Sequence, residues 1–168
     1  MLARKVCMIG DISVGKTSLV RRFVHRSFSD RYLTTVGVKV DTKEVQPPDG
    51  ESLKLVLWDI AGTDRFSTIE TGYLRGAAGY LLVVDGSRRA TLETARQLQS
   101  MVVEELGDIP FVTLLNKHDL SDRWDLKAAE LKRLEEFGWI LRQTSALTGT
   151  GVEAAFEELA GRIGHGRG

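Results

Sequence analysis

The chain contains a single cysteine, no excess of either charge, and no apolar run approaching the ~20 residues that a membrane span requires. One cysteine excludes an internal disulfide and fits a reducing compartment. Cys7 lies within Val6-Cys7-Met8-Ile9, where it reads as a small core residue rather than a reactive thiol. Lysine and arginine number 23 and aspartate and glutamate also 23. That balance supplies no global field for nucleic acid and no polybasic membrane tether. The first five residues, Met1-Leu2-Ala3-Arg4-Lys5, lack the apolar stretch of a secretory signal. Leucine at position 2 excludes N-myristoylation, and Gly164-His165-Gly166-Arg167-Gly168 offers no cysteine to prenylate. These absences lead to the expectation of a cytoplasmic protein with no nucleic-acid partner and no direct lipid anchor.

What is present fits one folded domain over residues 1–168. A chain of this length can bury a real core, and 42% hydrophobic with 27% charged residues is a soluble composition. Internal repeats, low-complexity tracts and linkers are not visible. Short apolar runs alternate with helical patterns, which predicts a parallel sheet covered by helices. Strands are expected at 6–9, 38–45, 53–59, 80–85, 111–116 and, more weakly, 139–143; helices at 16–25, 91–106, 125–137 and 152–163. The strands at 38–45 and 53–59 flank Pro47-Pro48-Asp49-Gly50 and read as an antiparallel hairpin. Leu92, Ala95, Leu98, Val102 and Leu106 recur at helical spacing, with Thr91 as the expected N-cap and Gly107 as the stop.

The strongest local motif is Gly10-Asp11-Ile12-Ser13-Val14-Gly15-Lys16-Thr17, a complete GxxxxGK[ST] sequence between a strand and a helix. Its glycines allow a nest of backbone N–H groups that cradles phosphate, and the helix N-terminus adds positive charge. Lys16 would meet the β- and γ-phosphates, and the Thr17 hydroxyl would ligate Mg²⁺. Kinases, ATPases and GTPases all share this motif. A second element, Leu57-Trp58-Asp59-Ile60-Ala61-Gly62, ends a strand with an aspartate able to hold a Mg²⁺-bound water. The third, Asn116-Lys117-His118-Asp119, follows a buried strand. A carboxylate at Asp119 can accept paired hydrogen bonds from guanine N1–H and its exocyclic amine, a pair adenine lacks. The Lys117 stem can lie along the base, and Asn116 can tie this loop to the first. His25, His118 and His165 show no metal-ligand spacing.

In order and spacing these motifs, with Tyr32 to Val38, Trp58 to Phe66, Tyr73 to Ala77 and Thr144-Ser145-Ala146, resemble a Ras-superfamily small GTPase, with the Rab branch nearest. The resemblance spans essentially the whole chain. It implies the P-loop NTPase fold: a six-stranded, mostly parallel sheet with one antiparallel edge hairpin and helices on both faces. It implies GTP or GDP as ligand and Mg²⁺ as cofactor, held by Thr17, Thr35 and, through water, Asp59. Ser13, Val14, Gly15, Lys16, Thr17 and Ser18 would bind phosphate; Phe28, Asn116, Lys117, Asp119, Ser145, Ala146 and Leu147 would bind the base. Thr35 would ligate Mg²⁺ in the triphosphate state, with Thr34 its alternative in the adjacent register, and Gly62 would sense the γ-phosphate. Effector, exchange factor and GTPase-activating protein would engage the two switches, with a monomer in the GDP state. Trp58, with Val40 and Tyr73, would form an effector surface or else pack into the core. Trp124 and Trp139 read as packing residues, and Arg65 and Arg75 as regulator contacts or solvated arginines.

Three departures from the family pattern matter. Thr63 stands where the family has the glutamine that orients the attacking water. Ile12 and Ser13 stand beside the γ-phosphate where small residues are usual, and no C-terminal lipid-acceptor cysteine is present. The expected catalytic set is therefore Lys16, Thr35, Gly62 and Thr63, with slow hydrolysis, or a non-hydrolysing GTP-binding module as the alternative. A small-metabolite kinase is disfavoured by Asn116 to Asp119 and by Thr35.

Overall fold

The structure, a computed structural model, describes residues 1–25, 38–48, 50–60 and 71–165. Six strands form one sheet in the order β2-β3-β1-β4-β5-β6. They are β1 (Leu2–Gly10), β2 (Val38–Val45), β3 (Leu53–Ile60), β4 (Gly79–Asp85), β5 (Phe111–Asn116) and β6 (Leu141–Gln143). Only β2 runs antiparallel, pairing Val38 with Ile60 through Val45 with Leu53. This is the six-stranded, mostly parallel sheet expected, and the β2–β3 pair is the edge hairpin, closed by a Gly50 N–H to Pro47 carbonyl bond of 3.3 Å.

Residue alternation along the inner strands sorts the core into two layers. Val6, Met8, Leu81, Val83, Val112 and Leu114 face one side, where α1 (Lys16–His25) and α4 (Val152–His165) cover them. Phe23 of α1 stacks on Phe156 of α4, centroids 4.0 Å apart and planes within 8°. Cys7, Ile9, Tyr80, Leu82 and Val84 face the other side against Leu92, Ala95, Leu98 and Val102 of α2 (Ala90–Leu106) and Leu134 of α3 (Ala128–Glu136). Each large side chain buried this way contributes roughly 1.5–3 kcal/mol.

Beyond shifts of one or two residues at other ends, four of the boundaries that the sequence suggests differ for a visible reason. β1 begins at Leu2 because its polar start pairs by backbone with β3, Arg4 opposite Leu55. Thr91 is not the N-cap; that position is Arg89, without a side-chain cap. The Thr91 hydroxyl instead accepts from the Asp85 N–H at 2.9 Å and so fastens the end of β4 to α2. α3 starts at Ala128 rather than Asp125, since the backbone is still extended at Lys127, ψ 133°, while the Asp125 N–H is held on the Gly86 carbonyl at 2.9 Å. β6 begins at Leu141, because the Trp139 N–H closes back onto the Leu134 carbonyl while its ring meets Phe111 edge-on. Cys7 is fully buried and Gly107 does end α2, at φ 78°.

The chain leaves β1 in one direction along the sheet and returns for β4 on its other side. Open α/β sheets bind ligands outside the carboxyl ends of their strands at such a reversal. The carboxyl ends of β1, β3 and β5 all lie there.

Candidate functional site

The loop of residues 10–17 joins β1 to α1, and its shape depends on Gly15. At φ +106° a side chain is strained, and a Cβ there would stand 2.3 Å from Nδ2 of Asn116. Asn116 uses that amide to donate to the Val14 carbonyl at 3.0 Å. Lys117 Nζ donates to the preceding carbonyl, Ser13, also at 3.0 Å. In a trans peptide the C=O and the next N–H point oppositely. Holding the Ser13 and Val14 carbonyls from outside therefore turns the N–H groups of Val14 and Gly15 to the opposite side, as an anion cradle needs.

Lys16 is buried at the start of α1 and donates to the carbonyls of Gly10 at 3.2 Å and Asp11 at 3.0 Å. Burial pulls its ammonium down to about 8, although Asp59 and Asp11 favour the charged form. Thr17 Oγ1 donates to Asp59 Oδ2 at 2.6 Å. A hydroxyl and a buried carboxylate are hard oxygen donors, the chemistry that Mg²⁺ selects, so the residues present fit that ion. Ser18 follows, half-buried, in α1. Asp11 accepts from the Ile12 N–H at 2.7 Å and from Thr94 Oγ1 of α2 at 2.8 Å.

The loop after β5 is built around three further contacts. Asn116 Oδ1 accepts from Thr144 Oγ1 at 3.1 Å, and the His118 N–H donates to the Thr144 carbonyl at 3.0 Å. Asp119 Oδ1 accepts from Ser145 Oγ at 2.7 Å. Ser145 and Ala146 are buried and Leu147 is exposed. Arg22 of α1 reaches across to donate from Nε to the Ala146 carbonyl at 2.8 Å and from Nη2 to that of Leu147. The loops predicted to hold phosphate, ion and base are thus tied to one another.

Several contributors carry no motif. Asp85, 1% exposed at the end of β4, binds Lys117 Nζ at 3.0 Å and Arg88 Nε at 2.9 Å. Burial alone would raise its pKa, but hydrogen bonds from Ser87, Arg88 and Lys117 outweigh that and hold it below the ordinary aspartate value. An apolar strand ending in aspartate is the same signal that marks Asp59, and it was open to notice. Trp124 packs as expected, yet its Nε1 also donates to the Lys117 carbonyl at 3.1 Å and its ring meets His118 edge-on. Arg22 and Arg88 leave no sequence signal that separates them from surface arginines.

Phe28, Thr34, Thr35, Gly62, Thr63 and Arg65 lie outside the described residues. Trp58 is half-buried, 6.5 Å from Tyr73 between centroids and paired in register with exposed Val40. Lys5 Nζ sits 3.6 Å over its ring. Trp58 therefore packs and also borders exposed Val40.

A sequence model of the Ras family matches residues 5–165. The chain is 39% identical over 163 residues to the Ras-related protein RABA5a of Arabidopsis thaliana, covering 95% of this chain and 72% of that one. It is 36% identical over 163 residues to the Ras-related protein YPTC6 of Chlamydomonas reinhardtii, covering 96% and 75%. To the Ras-related protein Rab-13 of Canis lupus familiaris it is 36% identical over 160 residues, covering 93% and 77%.

Proposed function

The chain belongs to the Ras family of GTP-binding switch proteins and is Rab-like, and we propose that it is a slow GTP hydrolase whose GTP form recruits an effector. The observation that supports this most is the pair of bonds from Asn116 and Lys117 to the Val14 and Ser13 carbonyls. Through them a phosphate cradle and a guanine-reading loop act as one rigid receptor.

In this reading Lys16 charges the β- and γ-phosphates, and Asp119 reads the guanine edge with the backbone of Ser145, Ala146 and Leu147 beside it. Phe28 packs against the base. Thr17, Thr35 and, through water, Asp59 would hold Mg²⁺, which would supply positive charge to offset that of the phosphates. Thr35 and Gly62 make the contacts that hydrolysis removes, which releases the two switches. Effectors, an exchange factor and an activating protein engage those switches, and the GDP form is monomeric. The protein acts in the cytosol.

Threonine at position 63 is too short to hold the attacking water and the phosphate together as glutamine does, and branched Ile12 crowds the same space. A single-turnover assay tests the reading: the protein is loaded with GTP, Mg²⁺ is added, and conversion to GDP is followed by chromatography. Slow conversion is expected, with Thr63→Gln faster by about tenfold, or ~1.4 kcal/mol of barrier. GTP unchanged after many hours in both forms would favour the non-hydrolysing module that Thr63 and Ile12 also suit. Failure to retain any guanine nucleotide would overturn the proposal.

A further inference from the structure

Three consecutive carbonyls of the phosphate loop are held from outside by side chains. Asn116 holds Val14 and Lys117 holds Ser13, each at 3.0 Å. The third is Ile12, whose carbonyl accepts from Arg88 Nη2 at 2.8 Å. Arg88 copies the arrangement of Lys117: each cation bridges from Oδ2 of Asp85 to one loop carbonyl. One buried carboxylate thus anchors both, and its second oxygen is engaged by the Ser87 N–H at 2.9 Å and hydroxyl at 2.6 Å.

We propose that Arg88 is a positioning residue for the γ-phosphate side of the loop, holding the Ile12–Ser13 peptide so that the Ser13 N–H faces bound triphosphate. The proposal rests on the guanine-nucleotide reading above. Its physical basis is the antiparallel C=O and N–H of a trans peptide: a carbonyl pinned outward turns the following N–H inward. Asn116 and Lys117 do this for Gly15 and Val14, and Arg88 completes the row with Ser13. Ser13 stands at φ 60°, a conformation that a serine adopts only when its surroundings impose it. The Arg88 side chain is about half exposed, at 46%, but its anchor is buried, which keeps the guanidinium in one place. Ile12 and Ser13 flank the γ-phosphate in this reading, whereas the carbonyls held by Lys117 and Asn116 serve the phosphates common to GTP and GDP.

The consequence is selective by nucleotide. Loss of Arg88 removes a donor from the triphosphate, while Lys117 still pairs with Asp85 and still holds the Ser13 carbonyl for the diphosphate. The experiment measures release of fluorescent GDP and of a fluorescent non-hydrolysable GTP analogue from the full chain with Mg²⁺, for wild type, Arg88→Ala and Arg88→Lys. Charge-assisted bonds of this kind support an expected rise of about fivefold to tenfold in release of the GTP analogue from Arg88→Ala. GDP release should stay within about twofold and Arg88→Lys should recover part of the difference, since an ammonium can still donate to Ile12. A purely structural role would move both rates together and lower the melting temperature. Equal acceleration of both nucleotides, or no change in either, would overturn the proposal. A wild-type chain that retains neither nucleotide would instead sink the reading beneath it.

Discussion

Ser13 and Lys117, the two non-glycine residues with left-handed backbone among those described, at φ 60° and 68°, are bonded to each other from Nζ to carbonyl at 3.0 Å. Left-handed conformations cost roughly 1–2 kcal/mol per ordinary residue and persist only where surrounding contacts over-determine them. Here each strained residue is part of what restrains the other. Lys117 also reaches Asp85, and its carbonyl accepts from Trp124.

Lys117→Ala removes the bond to Ser13 and one of the two cations on buried Asp85. Retention of nucleotide should weaken for GDP and GTP alike, by about tenfold or more. Release of a fluorescent GDP analogue measures it. Unchanged release would mean that Asn116 alone sets the loop.

In the proposed function the pair Asp119–Ser145, joined from Oγ to Oδ1, carries the base preference. An aspartate carboxylate accepts from two guanine donors, whereas the side-chain amide of an Asp119→Asn variant would present one acceptor and one donor. That variant should lose GDP affinity by roughly a hundredfold or more and gain affinity for xanthosine diphosphate, whose second carbonyl takes the new donor. Ser145→Ala removes the 2.7 Å bond that orients the carboxylate and the 3.1 Å bond accepted from the Thr148 N–H but leaves the carboxylate itself, so a loss of about tenfold without a change of preference is expected. Competition of the two diphosphates against labelled GDP distinguishes the outcomes.

Gly86 has no room for a methyl group. A Cβ there would lie 2.2 Å from the Trp124 indole, a rigid neighbour. Gly86→Ala should displace Trp124 and, with it, support for Lys117 and His118. The expected result is a loss of about 1–3 kcal/mol in stability, typical of overpacking, together with faster GDP release. Urea unfolding and the release assay read the two effects; stability lost with release unchanged would confine Trp124 to packing.

Trp124 also illustrates which features were legible in the sequence. The phosphate, ion and base motifs are local, each a strand end followed by a few residues whose spacing states the chemistry. The hairpin and the buried strands were equally plain, because apolar runs such as Phe111–Asn116 have no other use. The supporting contacts are not local. Gly86 meets Trp124, and Arg22 meets Ala146 and Leu147, only because β4, α1 and the loops after β5 and β6 converge at the carboxyl end of the sheet. The late start of α3 has the same origin: the Asp125 N–H is bonded to Gly86 and the chain is still extended at Lys127 before the helix begins. Thr91 carried the composition of an N-cap, yet its position after β4 gave its hydroxyl a nearer partner in Asp85.

Cys7 provides a last prediction, on alkaline stability. The thiol is fully buried in β1, and burial pushes it up to about 11 from an ordinary 9.0, with Lys5 acting weakly in the other direction. Between those values the unfolded chain loses the thiol proton and the native chain keeps it. The native state then binds more protons, so this group makes stability fall as pH rises from about 9 to about 11, by roughly 2–3 kcal/mol in all. Lys16 and Tyr80 also titrate away from their ordinary values, so the contribution must be read as a difference between wild type and Cys7→Ala. The alanine variant should be less stable at pH 8 through its lost packing, and the gap should narrow steadily toward pH 11. Urea unfolding at unit pH steps measures that gap. Two curves that stay parallel across the range would show that the thiol ionises at the same pH whether the chain is folded or not.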